Sequence, residues 1–206
     1  MKSTRVRVIL AVAAAGAALT ACSPAQAGAA AIVGGDRISS SELDRNVQEY
    51  QNALGRANVS PSQLQFPGTI PQVVLYQLAS AKQYTMLGES KGVAVTDAEI
   101  DQVITGAGGQ AQYEQQLLQE AVAPSQARDF TRGKLMLTKL MAKYGGGSDE
   151  AALRRGQPQV VKELQNVKIT WNPRYGELNA QRSQQMPMLF VDSNRFGANP
   201  AGAQQQ

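Results

Sequence analysis

Histidine is absent from this 206-residue chain, and cysteine occurs once, at Cys22. Without histidine there can be no Ser-His-Asp or Cys-His triad and no His-ligated zinc or haem. A lone cysteine makes neither an internal disulfide nor a CxxC redox pair. Most routes to an activated nucleophile at neutral pH are therefore closed. The sequence predicts a non-enzyme, with no catalytic residues, no cofactor and no metal site. Aromatic residues are also scarce, at 5%, and charged residues make up only 17% against 43% hydrophobic. The length fits one domain with tails.

The first residues are not part of that domain. Lys2, Arg5 and Arg7 precede an apolar run from Val8 to Leu19. A short basic region followed by about 12 apolar residues is a secretory signal pattern, too short for a comfortable membrane span. Arg5-Val6-Arg7 is not a twin-arginine pair, which points to the general secretory route. The run ends in Leu19-Thr20-Ala21-Cys22, which resembles the lipobox of bacterial lipoproteins. That resemblance implies lipid attachment at Cys22, removal of residues 1–21, and a lipid-anchored protein on the extracytoplasmic face of the cell membrane. The three basic residues of the leader account for three units of the formal net charge of +4. The mature chain is then close to neutral, and neither nucleic acid nor a polybasic membrane contact is expected as a partner. Two acyl chains anchor without a basic patch.

Residues 22–30 read as a lipidated tether of small, uncharged residues. Ala31-Ile32-Val33 reads as a strand, and Gly34-Gly35 as a turn. Ser39 followed three residues later by Glu42 is a capping box opening a helix whose seam is Leu43, Val47, Tyr50 and Leu54. A Pro- and Gly-bearing loop over 58–69 leads to a second helix over 70–91. Its apolar residues cover most of its circumference, so it is expected at the centre of the domain. Thr96 and Glu99 form a second capping box, for a short helix carrying Ile100, Val103 and Ile104. Gly106-Ala107-Gly108-Gly109 breaks it. A fourth helix is predicted over 110–121, and a fifth restarts at Ala123-Pro124-Ser125 and runs to Tyr144. Gly145-Gly146-Gly147 stops it. A sixth helix over 150–164 is interrupted on paper by Gly156 and Pro158. Residues 167–171 alternate and are β-branched, so they read as the second strand, in need of a partner. Residues 172–206 read as a flexible C-terminal tail, with 188–191 its one apolar cluster.

Three stretches together resemble a known family. They are 31–43 (strand, turn and capped helix), 87–100 (Leu-Gly-Glu-Ser-Lys-Gly-Val-Ala-Val-Thr-Asp-Ala-Glu-Ile), and 108–140 with its restart at Ala123-Pro124-Ser125. The chain is similar over 31–171 to the SurA N-terminal chaperone domain, shared with PrsA-type foldases. The resemblance implies a mainly α fold in which a small two-stranded sheet joins the N- and C-terminal ends. It also implies helices that cradle extended segments of unfolded or newly exported polypeptides. One departure matters. Members usually insert a parvulin prolyl isomerase domain before the closing segment, and here Gly145–Gly147 leads almost directly into it. The expectation is an ATP-independent, membrane-anchored holdase. The alternative is a non-catalytic adaptor for one specific envelope partner.

Other motifs carry little. The Gly106–Gly109 run lacks the Gly-Lys-Ser/Thr of a phosphate loop and reads as a hinge. Asp97, Glu99 and Asp101 crowd a helix start, where they compensate its dipole. Arg154-Arg155 reads as a solvated face, and Asn58-Val59-Ser60 fits a glycosylation sequon without other support. For client contact the sequence offers Leu75 and Met86, on the face of the second helix opposite Ile70 and Val74. Phe66, in a Pro-flanked loop, is the third candidate.

Overall fold

The computed structural model describes residues 28–183 and 187–191. The leader, Cys22 and residues 192–206 lie outside the described residues, so the lipid-attachment expectation is not addressed by the fold.

The chain opens with β1 (Ala29–Val33), turns at Gly34-Gly35, and returns as β2 (Asp36–Ser39). Gly34 and Gly35 both take positive φ, which glycine adopts without steric cost. A side chain at Gly34 would also collide with Met86. After the helices, β3 (Ile169–Trp171) comes back to the free edge of β1. The pairing is antiparallel, with Ala31 opposite Trp171, Ile32 opposite Thr170 and Val33 opposite Ile169. The expected sheet joining the two ends is therefore present, and β2 adds a strand on its other side, in the order β2-β1-β3.

Helix α1 (Ser40–Arg56) starts where the first capping box predicts. Ser39 Oγ accepts from the Glu42 N–H at 3.0 Å, and Glu42 reaches back to the Ser39 N–H. Its seam buries Leu43, Tyr50 and Leu54, and also Asn46 and Ala53. Helix α2 (Ile70–Ser90) is the central element, packed against α1, β1, and two later helices, α5 (Ala127–Gly145) and α6 (Glu150–Leu164). Its interior residues include Val73, Val74, Leu75, Ala79 and Leu87.

Helix α3 (Asp97–Gly106) carries the second capping box, with Thr96 and Glu99 satisfying each other's backbone N–H groups. Helix α4 (Gln110–Leu117) is shorter than expected. It tightens into a 3-10 turn over Leu118–Glu120 and ends at Ala121, which is left-handed at φ 58° and fully buried. The Tyr50 hydroxyl donates to the Leu118 carbonyl at 2.6 Å and pins this turn to α1. Another 3-10 turn, Pro124–Gln126, runs into α5.

Helix α6 runs unbroken through Gly156 and Pro158, contrary to the interruption that those residues suggest. Gly156 is a packing position. A Cβ there would run into the Met141 carbonyl, and one at Gly145 into the Ala152 carbonyl. The two helices therefore meet backbone to backbone. Interior proline costs a helix roughly 3 kcal/mol. Burial of Ala152 and Val160, the latter in a cluster with Leu87 and Leu140, offsets it.

The expectation of a flexible tail fails over the described part of 172–206, residues 172–183 and 187–191. A 3-10 turn at Pro173–Tyr175 leads to β4 (Glu177–Leu178), which pairs antiparallel with β5 (Phe190–Val191). Leu189 and Phe190 are buried in the main core. Phe190 meets Trp171 edge-on at 5.2 Å between centroids, and Trp171 stacks on Tyr76 at 6.2 Å. Gln72 Nε2 donates to the Tyr175 carbonyl at 2.9 Å. The polar composition of 172–188 concealed this return, because a few apolar residues at its end do the anchoring.

Candidate functional site: a groove along the central helix

One face of α2 is left partly open. Leu78, Ala81, Lys82, Thr85, Met86 and Glu89 recur at helical spacing and form the floor of a groove of about 750 Å³. Asp36 and Ile38 of β2, with Glu42 of α1, form one wall. Gln126, and Asp129 and Arg132 of α5, form the other. The floor is mixed, with Leu78, Ala81 and Met86 set among Lys82, Thr85 and Glu89. Lys82 bridges floor to wall through Asp36 at 3.2 Å. Arg132 is held by Asp129 at 2.9 Å and by Asp97 of α3 at 3.0 Å. Arg128 joins Asp101 at 2.6 Å, so an ion-pair lattice ties α3 to the groove-bearing end of α5. Further along the same interface, Lys139 pairs with Glu99 and holds its carboxyl down at about 2, helped by the Thr96 N–H.

The groove borders a tight apolar cleft, with room for about one water, between α1, α2 and the Ala121–Ala123 turn. Leu78, Ala81 and Gln126 belong to both. Val74, Val122 and Phe130 supply apolar walls, and Asn46 is the polar intruder. Asn46 is 5% exposed. Its Nδ2 donates to the Glu42 carbonyl at 2.9 Å, while its Oδ1 has no hydrogen-bond partner among the described residues. Leaving a buried acceptor unpaired costs about 1–3 kcal/mol.

The three client-contact candidates do not come together. Met86 lines the groove. Leu75 does not: it is fully buried in the main core. It shares a face with Met86, three helical turns away, but at Leu75 that face is closed within the main core. Phe66 packs half-buried against the core, with its ring 6.4 Å from that of Tyr50. Asn46 was missed, though it had a signal. It falls on the buried seam of α1, three residues after Leu43 and four before Tyr50. A polar residue on an apolar stripe is the informative exception.

Among the described residues no group of three or more His, Cys, Asp or Glu side chains is placed to hold a metal ion. No described helix is long and apolar enough to cross a membrane. The candidate site is a groove on a helical domain whose ends are tied by a small sheet. Residues 1–141 match the family model of the SurA-like N-terminal domain, and the chain belongs to that family. The match ends inside α5, so α6, β3 and the closing hairpin lie beyond it. No curated protein and no solved structure matches the chain. Membership in this family points to a chaperone-like role and to polypeptides as the bound class.

Proposed function

We propose that this protein is a membrane-anchored, extracytoplasmic holdase that works without ATP and without catalytic chemistry. It shields segments of newly exported polypeptides, and lipid on Cys22 keeps it at the membrane where they emerge. The observation that carries the reading is the groove along the central helix, where Leu78, Ala81 and Met86 lie among charged and polar side chains, in a SurA-like domain. Such a surface binds through apolar and main-chain contacts. It favours weak, broad recognition, because few interactions depend on one client sequence.

The test is aggregation of a chemically unfolded model protein on dilution, followed by light scattering. The proposed activity slows aggregation in proportion to added protein, with no nucleotide present. No slowing at several-fold molar excess would overturn it. A single stoichiometric partner recovered from membranes, with no slowing of aggregation, would instead identify an adaptor. For the anchor, Cys22→Ala should move the protein out of the membrane fraction, and persistent membrane association would refute lipidation.

A further inference from the structure

The groove carries more negative charge than positive. Asp36, Glu42, Glu89 and Asp129 line it against Lys82 and Arg132. We propose that it selects client segments in which lysine or arginine stands among apolar residues, and that Glu42 and Glu89 receive those basic side chains. This rests on the holdase reading and narrows it to one class of client.

The first support is which charges are already engaged. Lys82 pairs with Asp36 at 3.2 Å, and Arg132 is shared between Asp129 at 2.9 Å and Asp97 at 3.0 Å. Glu42 and Glu89 make no ion pair among the described residues. Glu89 is exposed. Glu42 accepts from the Ser39 N–H at 3.4 Å, which holds its carboxylate in place without neutralising it. An incoming cation therefore meets two uncompensated carboxylates. An incoming carboxylate would have to displace Asp36 from Lys82, or Asp129 and Asp97 from Arg132.

The second support is that this excess is local. Without the three basic residues of the leader the chain is close to neutral, so the rest of the surface is not acidic. The third is the floor. Leu78, Ala81 and Met86 lie between polar neighbours, a surface that suits side chains with an apolar stem and a charged end. From Leu78 to Glu89 the floor covers three helical turns, about 16 Å. An extended chain at about 3.3 Å per residue spans that with about five residues. Each new ion pair would stay open to solvent, so it should shift affinity by about two- to fivefold. The result is a bias among clients, compatible with broad recognition.

The probes are three fluorescent peptides on one apolar framework, carrying two lysines, two glutamines or two glutamates. Binding is read by anisotropy. The wild-type protein should rank them lysine, glutamine, glutamate, with about fivefold or more between the ends. The spread should narrow as salt rises from about 0.05 to 0.5 M, because screening weakens exposed pairs. Glu42→Gln combined with Glu89→Gln removes both charges, and glutamine at 42 preserves the capping box. This double variant should lose most of the lysine preference and bind the glutamine peptide as before. Glu114→Gln, on α4 and outside the groove, should leave all three affinities unchanged. Equal binding of the three peptides by the wild-type protein overturns this proposal and leaves the holdase reading standing. So does a lysine preference that survives the double variant. No binding of any peptide overturns both. A dimer in the ultracentrifuge that the double variant dissolves would make a second copy the occupant and also overturn the proposal.

Discussion

Gly133 lies in the middle of α5, and replacing it by alanine sets two known effects against each other. In a helix interior, Gly→Ala ordinarily stabilises by about 0.5–1 kcal/mol, because alanine loses less backbone freedom on folding. Here a Cβ would stand 2.7 Å from the Ala81 carbonyl oxygen and 3.0 Å from its Cα. Both atoms are backbone of α2, so no side-chain rotation relieves the overlap, and the helices must separate. Overpacking of this kind costs about 1–3 kcal/mol. The steric effect exceeds the propensity gain, and the expected net change is a destabilisation of about 1–2 kcal/mol. For a domain of this size that lowers Tm by roughly 2–8 °C. The control is Gly55→Ala at an exposed position of α1, where a Cβ would meet nothing within 4 Å. That variant should be neutral or more stable. Thermal unfolding followed by circular dichroism reads both. If Gly133→Ala melts higher than the parent, the close approach of α2 and α5 is wrong, and with it the groove between them.

Three further outcomes follow from the packing and the ion pairs. Leu75→Ala should lower stability by about 2–5 kcal/mol, as expected for a fully buried leucine, and leave client affinity unchanged once the fold is compensated. Phe190→Ala should cost about 3–5 kcal/mol and shift the emission of Trp171, the chain's one tryptophan, which it touches edge-on. The Glu99 carboxyl is held by Lys139 and Thr96 at about 2, below its ordinary 4.5. Its folded-state value is depressed, so its stabilisation is present above about 4.5 and is lost as pH falls towards 2. Carboxyl NMR titration should find that low midpoint, and Lys139→Met should move it up towards the ordinary value.

Much of this fold is legible in the sequence, because local chemistry and tertiary structure agree there. The Ser39–Glu42 and Thr96–Glu99 capping boxes start helices where they predict. The all-round apolar α2 is the central helix, and the two β-branched runs pair with each other. What escaped depends on contacts between distant segments. Gly156 reads as a breaker until α5 is seen to need its missing side chain. The segment after Trp171 reads as a tail because its order comes from Leu189 and Phe190 inserting into a core built by other elements. Leu75 was assigned to a groove because helical spacing gives the face a residue lies on and not how far along the helix that face is covered. Met86, on the same face three turns on, does reach the groove.

Site-specific photo-crosslinking tests most directly whether clients occupy the groove on α2. A benzophenone amino acid at Thr85, on the groove floor, is compared with one at Val161, an exposed apolar position on α6. Both variants are irradiated with an unfolded client. The groove account predicts client adducts at position 85 and few or none at 161. Equal adducts at the two positions, or adducts at 161 alone, would contradict it.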